Sequence, residues 1–154
     1  MNASLGKVKR LFHSLTQDEL KLVLGIAHRS TFEPGQIILR QEQSHNSLFL
    51  VEEGVLHVER SSVLLGQITE GGFFGEVGFF VPVQATATVR AASKGSLYEI
   101  RRLDFDRFLD QSPALGCKVL RAILQQLGER LANADQKLVD SICWGSMTPG
   151  APEQ

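Results

Sequence analysis

A chain of 154 residues, 43% hydrophobic and 21% charged, has the length and balance of one globular domain with a single buried core. Its formal net charge of −1 lacks the basic excess with which proteins grip nucleic-acid phosphates. Met1 to Leu15 carries charges but no long apolar run, and no segment has the ~20 apolar residues of a bilayer-crossing helix, so neither a secretory leader nor a membrane span is expected.

In chain order, Lys7, Lys9 and Arg10 suit the start of an amphipathic helix as well as a local basic patch. Thr16-Gln17-Asp18-Glu19 has the capping-box pattern, in which Thr16 caps the helix start and Glu19 reaches back. Leu15 and Leu20 stand at hydrophobic-staple positions. Leu20, Val23, Leu24 and Ala27 share one helical face, which predicts a helix ending near His28 or Arg29. From Thr31 to Ile100, short runs rich in β-branched and aromatic residues alternate with turn residues. Pro34-Gly35 predicts a turn and Ile37–Leu39 a strand. Leu48–Val51 and Val55–Val58, separated by Glu52-Glu53-Gly54, carry a hairpin signal. Val63–Ile68, Thr86–Ala91 and Leu97–Ile100 predict further strands, with turns at Gly71-Gly72 and Lys94-Gly95. Many short strands with frequent turns point to a sandwich, barrel or jelly roll.

After Ile100 the period is helical again. Leu103, Phe105, Phe108 and Leu109 predict a short amphipathic helix. Ser112-Pro113 then reads as an N-cap followed by proline at the first helical position, opening a long helix to about Ser141. Leu120, Leu124, Leu127, Leu131, Ala134 and Leu138 repeat alternately at four and three, a heptad seam. Val119, Ile123 and Leu127 form a neighbouring stripe. One stripe covering the β-structure and the other meeting a second subunit predicts a homodimer through this helix; the alternative is that both stripes cover one domain. Cys117 and Cys143 form no CxxC pair or disulfide framework, which suits a reducing, cytoplasmic setting.

The most informative stretch is Gly71-Gly72-Phe73-Phe74-Gly75-Glu76-Val77-Gly78-Phe79-Phe80, followed by Ala85-Thr86-Ala87-Thr88-Val89-Arg90-Ala91. It resembles the phosphate-binding cassette and closing strand of the cyclic-nucleotide-binding domain family. Phe32–Ile38, Ser47–Val58 and Leu103–Leu109 sit at the spacing of that family, so the resemblance runs from about Leu11 to Leu138. It implies a mainly β fold with flanking helices, a double-stranded β-helix or jelly-roll (β-roll) with an N-terminal helix and a long C-terminal helix. The divisions expected are an N-terminal helical segment (1–30), the roll (31–101), C-terminal helices of the same domain (102–144) and a disordered tail (145–154).

The resemblance also implies a ligand, cyclic AMP or cyclic GMP, and no cofactor or metal. Glycine lets backbone amides approach a compact phosphate, and a carboxylate beside the ribose accepts from its 2′-hydroxyl. By resemblance Gly75, Glu76 and Val77 form the cassette turn, with Gly75 giving the close approach and Glu76 the ribose contact, and Thr86 meets the phosphate. The purine is contacted from the long helix near Glu129, Arg130 and Leu131, where Arg130 is placed to reach an anion in the pocket. One departure matters most: Ala85 stands where the family carries the phosphate-binding arginine, and Gln84 where proline is usual. Neither residue replaces a guanidinium fork, a loss of about 1.5–3 kcal/mol, or roughly one to two orders of magnitude in affinity. Arg90 and Lys94 are the candidates to compensate. Glu42 and His45 stand where family members often carry glycine.

Two functions therefore compete. One is a non-enzymatic sensing domain that binds a cyclic nucleotide or related small anion and acts on an effector protein. The other is a ligand-free interaction and dimerisation module, which a pocket filled by Phe79, Phe80 or Arg130 would favour. The few residues after Ser141 predict no DNA-binding helix-turn-helix, and so no direct DNA binding. No GxSxG, P-loop or Rossmann pattern occurs, and Asp104, Asp106 and Asp110 suit a solvated helix face rather than a catalytic pair. His13, His28, His45 and His57 are scattered without metal-ligand spacing, and surface or structural roles are expected for them.

Overall fold

The computed structural model describes residues 3–145, with side chains from 6 to 142. The expected disordered tail lies, but for its first residue, outside the described residues, as does the Cys143 side chain.

Among the described residues thirteen elements follow one another: α1 (Ala3–Val8), α2 (Gln17–Leu24), β1 (His28–Phe32), β2 (Ile37–Leu39), β3 (Ser47–Glu53), β4 (Leu56–Arg60), β5 (Val63–Ile68), β6 (Phe73–Phe74), α3 (Glu76–Phe80), β7 (Thr88–Ala91), β8 (Gly95–Arg101), α4 (Arg102–Gln111) and α5 (Pro113–Gly145). The strands form two four-stranded antiparallel sheets, ordered β1-β8-β3-β6 and β2-β7-β4-β5. This is the jelly-roll architecture, with helices at both chain ends packed on the first sheet.

β3 explains how one sheet serves two cores. Its side chains alternate across the sheet. Leu48 and Leu50 join Phe73 and Ile100 beneath the helices, against Phe12, Leu20, Phe105, Val119 and Ile123. Phe49 and Val51 face the other way, into the roll, with Leu56, Phe74, Val89 and Leu97. Each such fully buried side chain contributes about 1.5–3 kcal/mol. The roll interior and the helix layer are thus joined through a strand buried on both faces.

Thr16 caps α2 as expected, with both arms of the capping box formed: the Glu19 amide donates to Thr16 Oγ1 at 3.2 Å and the Thr16 amide to Glu19 Oε2 at 2.9 Å. The helix ends earlier than its apolar spacing predicts, at Leu24, because His28–Phe32 is taken up as β1 by pairing with β8. Four of the five β1 residues are exposed, so it has no apolar alternation by which to be recognised. The hairpin expected across Glu52-Glu53-Gly54 does not form. β3 and β4 lie in different sheets, and the turn at Gly54 (φ +100°) carries the chain from one to the other. A Cβ at Gly54 would lie 2.8 Å from the Lys94 carbonyl oxygen, so the crossing requires glycine. β7 begins at Thr88, which leaves Thr86 in the preceding loop.

α5 starts at Pro113, and the Gly116 amide donates to the Ser112 carbonyl at 2.8 Å. Leu115, Val119, Ala122 and Ile123 cover the core, and Leu120 and Leu127 pack at its margin. Leu124, Leu131 and Leu138 stay exposed. The two stripes therefore separate: the Val119–Ile123 side faces the domain and half of the leucine seam faces outward.

Candidate functional site

The short strand β6 delivers the chain to Gly75, which adopts the left-handed conformation (φ +82°, ψ 3°) and caps α3. A side chain here fails twice. The dihedral is costly for any L residue, and a Cβ would lie 2.7 Å from the Ser47 carbonyl oxygen. The turn is anchored from behind by Phe79, buried in the helix-side core. The first amides of α3 have no acceptor within the helix, the arrangement that favours an anion.

In front of this turn lies a cavity of about 480 Å³. Its wall contains all six residues singled out by sequence: Gly75, Glu76, Val77, Ala85, Thr86 and Arg130. Neither Phe79 nor Phe80 enters it. The volume falls in the range of small-molecule sites, and most of the remaining wall is apolar.

Arg130 reaches this wall from α5. Its Nη1 stands 3.4 Å from Glu76 Oε1, its Nη2 donates to the Phe73 carbonyl, and its Cζ lies 4.0 Å from the centre of the Phe73 ring. The guanidinium thus ties the long helix to β6 and to the first residue of α3. Arg90 and Lys94 do not substitute for the missing arginine. Arg90 turns to Glu59 (3.5 Å) and the Gly35 carbonyl (3.3 Å), Lys94 is exposed in the turn beside Gly54, and neither lines the cavity.

Ala85 lines the same cavity as the glutamate. Its backbone is paired with the 42–43 loop: its amide donates to the Gln43 carbonyl and its carbonyl accepts from the Glu42 amide, both at 2.8 Å. Its methyl group is buried among the roll residues. Glu42 adopts φ +68°, so the conformation suited to glycine is kept here without glycine.

The residue that sequence reasoning passed over is His45, expected to be structural or on the surface. It lines the cavity, its Nδ1 accepting a long 3.4 Å hydrogen bond from the Ser47 amide. A Cβ at Gly78 would lie 2.5 Å from its Nε2, so the ring occupies space that Gly78 leaves open. The signal was the departure from glycine at 45, matched by glycines at 75 and 78. Among the described residues, no group of three or more side chains could hold a metal ion, and no helix is long and apolar enough to cross a membrane.

A rolled double sheet, a left-handed glycine followed by glutamate, and a long helix that sends an arginine to the cavity wall define a class of ligand-binding regulatory domain. The profile of the cyclic nucleotide-binding domain matches residues 29–112, more than half of the chain, and the chain belongs to that family. Glutaminase 1 of Bradyrhizobium diazoefficiens is 30% identical over 129 residues, 83% of this chain and 21% of that protein. The catabolite activator protein of Thermus thermophilus superposes with a TM-score of 0.73 at 26% identity, over 83% of this chain and 61% of that one. A cyclic nucleotide-binding domain from Methylobacillus flagellatus KT superposes with a TM-score of 0.82 over 97% of this chain and 86% of that one. At 16% identity this last is a likeness of fold alone. The chain spans about a fifth of the glutaminase that it matches.

Proposed function

We propose that this domain is a non-enzymatic sensor that takes cyclic AMP, cyclic GMP or a related small anion into the cavity under α5. The observation that carries the reading is the cavity itself: about 480 Å³, not filled by the domain's own aromatic side chains, and walled by the Gly75–Glu76 turn and Arg130. On this reading the amides around Gly75 and Val77 meet the phosphate and Glu76 accepts from the ribose 2′-hydroxyl. Thr86 approaches from the facing loop, and Arg130 supplies positive charge. With alanine at 85 the affinity is lower than that of an arginine-bearing site by about 10- to 100-fold.

A ligand that engages Glu76 or Arg130 changes what holds α5 to the roll. The helix moves only so far as the ligand binds one arrangement better than the other. The signal then passes to an effector protein or to a second copy of the chain. Pairing through α5 is favoured by Leu124, Leu131 and Leu138, which are 64%, 65% and 61% exposed at intervals of seven. The widely separated cysteines, Cys117 being a free thiol, suit a cytoplasmic setting.

Ala85 and the exposed seam favour the second reading, a ligand-free interaction module. Isothermal titration with cyclic AMP, cyclic GMP and cyclic di-GMP separates the two. Saturable heat supports the sensor. Neither heat nor a thermal shift at millimolar ligand overturns it and leaves the interaction module.

A further inference from the structure

We propose that Arg102, which does not line the cavity, is a positioning residue for the ligand: it holds the carbonyl of Phe79 and so fixes the Gly75–Glu76–Val77 turn that the nucleotide meets. The inference rests on the reading of the cavity as a nucleotide pocket.

The need for such a residue follows from the length of α3. Five residues make little more than one turn, so the helix satisfies few of its own end groups. The Phe79 amide donates to the Gly75 carbonyl at 3.1 Å, and the Val81 amide to the Val77 carbonyl at 2.8 Å. In a longer helix the Phe79 carbonyl would accept from the amide of residue 83. The Val83 amide instead donates to the Val81 carbonyl at 2.7 Å. Arg102 Nη1 takes its place, donating to the Phe79 carbonyl at 2.8 Å. Basic side chains commonly satisfy the last carbonyls of a helix in this way. One residue therefore stands between the guanidinium and the left-handed glycine: the amide of Phe79 holds Gly75, and its carbonyl is held by Arg102.

Arg102 is itself fixed. Its amide donates to the Asn46 carbonyl at 2.8 Å, and its Nε donates to the two carboxylate oxygens of Asp106 at 2.9 and 3.1 Å. With Nε on Asp106, the planar guanidinium presents Nη1 to Phe79. Its Cζ lies 6.0 Å from the centre of the buried Phe79 ring, which packs at 5.3 Å against Phe105 of the same helix, α4. On the other side of the turn, Arg130 of α5 grips the Phe73 carbonyl and Glu76. Two arginines from two helices thus bracket the turn, and of the two only Arg130 lines the cavity.

The side chains of Arg102 and Asp106 are 44% and 47% exposed, so their pairing adds little to global stability. Its effect falls on the ligand. A turn released at Phe79 spends less time in the arrangement that the nucleotide meets, and apparent affinity falls with that fraction. Cyclic AMP and cyclic GMP share the phosphate and ribose, so both lose by the same factor.

The test is calorimetric titration of both nucleotides into the full chain, as wild type, Arg102→Gln, Asp106→Asn and Arg107→Gln. Arg107 is the control, an arginine of the same helix that is 67% exposed and pairs with Asp104 at 3.8 Å. Arg102→Gln is expected to bind each nucleotide about tenfold more weakly with their ratio unchanged, Asp106→Asn about threefold more weakly, and Arg107→Gln as the wild type does. In ligand-free Arg102→Gln the amide NMR signals of Gly75 and Val77 should move while the thermal midpoint stays within a few degrees. Wild-type affinity in Arg102→Gln, or an equal loss in Arg107→Gln, overturns the role of Arg102 and spares the pocket. So does a lowered midpoint with the Gly75 and Val77 signals unmoved. If Arg102→Gln does not fold, Asp106→Asn decides, and wild-type affinity there overturns the role. No binding of either nucleotide by the wild type overturns both.

Discussion

The guanidinium of Arg130 stands 3.4 Å from the carboxylate of Glu76, a residue fifty-four positions earlier in the chain. The glutamate side chain is 18% exposed and the arginine 40%. This contact, with the Phe73 carbonyl and ring, fastens the middle of a 33-residue helix to the turn that forms the cavity. A half-exposed ion pair alone is worth about 0–1 kcal/mol, and a guanidinium over an aromatic face about 0.5–1 kcal/mol more. Arg130→Gln is therefore expected to lower stability by about 1–2 kcal/mol in urea unfolding. Arg130→Lys should recover less than half of that, because lysine lacks the planar fork that makes both contacts. Full recovery by lysine would mean that charge alone holds the helix.

The two glycines of the cassette turn are expected to behave differently. Gly75→Ala combines a left-handed backbone with a backbone oxygen 2.7 Å from the new Cβ, and neither neighbour yields easily. Loss of about 2 kcal/mol or more and loss of ligand binding should follow. At Gly78 the obstruction is instead the tip of the His45 ring, and the site is helical. Gly78→Ala should leave the thermal midpoint nearly unchanged while moving the His45 ring, which histidine NMR shifts would report. Unmoved ring signals in that variant would contradict the packing described.

What could be read from the sequence divides along physical lines. The capping box at Thr16 is a contact between residues three apart, so its pattern and its geometry coincide. Ile37–Leu39 and Val63–Ile68 match β2 and β5 because short apolar runs bounded by turn residues leave little choice. β1 escaped notice because its exposed residues carry no alternation and only β8 makes them a strand. The Gly54 turn was legible, but which strands it joins is decided by the pairing of β3 with β8 and of β4 with β7. Gly75, Glu76 and Ala85 were found through a contiguous motif. His45 was not, because its meaning depends on glycines thirty or more residues away.

The outward half of the leucine seam predicts the state of the protein in solution. Leu124 and Leu131 are 64% and 65% exposed and make no part of either core, so charged replacements should not unfold the domain. Leu124→Glu with Leu131→Glu places four carboxylates in a two-fold seam. Sedimentation velocity should show a dimer for the wild type and a monomer for the double variant, with the two thermal midpoints within a few degrees. A wild-type monomer at high micromolar concentration would remove α5 pairing from the reading.

Ala85→Arg tests whether only the phosphate anchor is absent. The residue's backbone is already fixed by two 2.8 Å hydrogen bonds to the 42–43 loop, so the substitution need not disturb the wall. Its methyl group is buried, and the residue lines a cavity of about 480 Å³ that offers room for a longer side chain. A guanidinium there offers a charge-assisted fork to the phosphate that no neutral side chain provides. Affinity for cyclic AMP or cyclic GMP should rise by about 10- to 100-fold. If the arginine variant folds and still binds neither nucleotide, the cavity has lost more than one contact. The ligand-free reading would then displace the sensor.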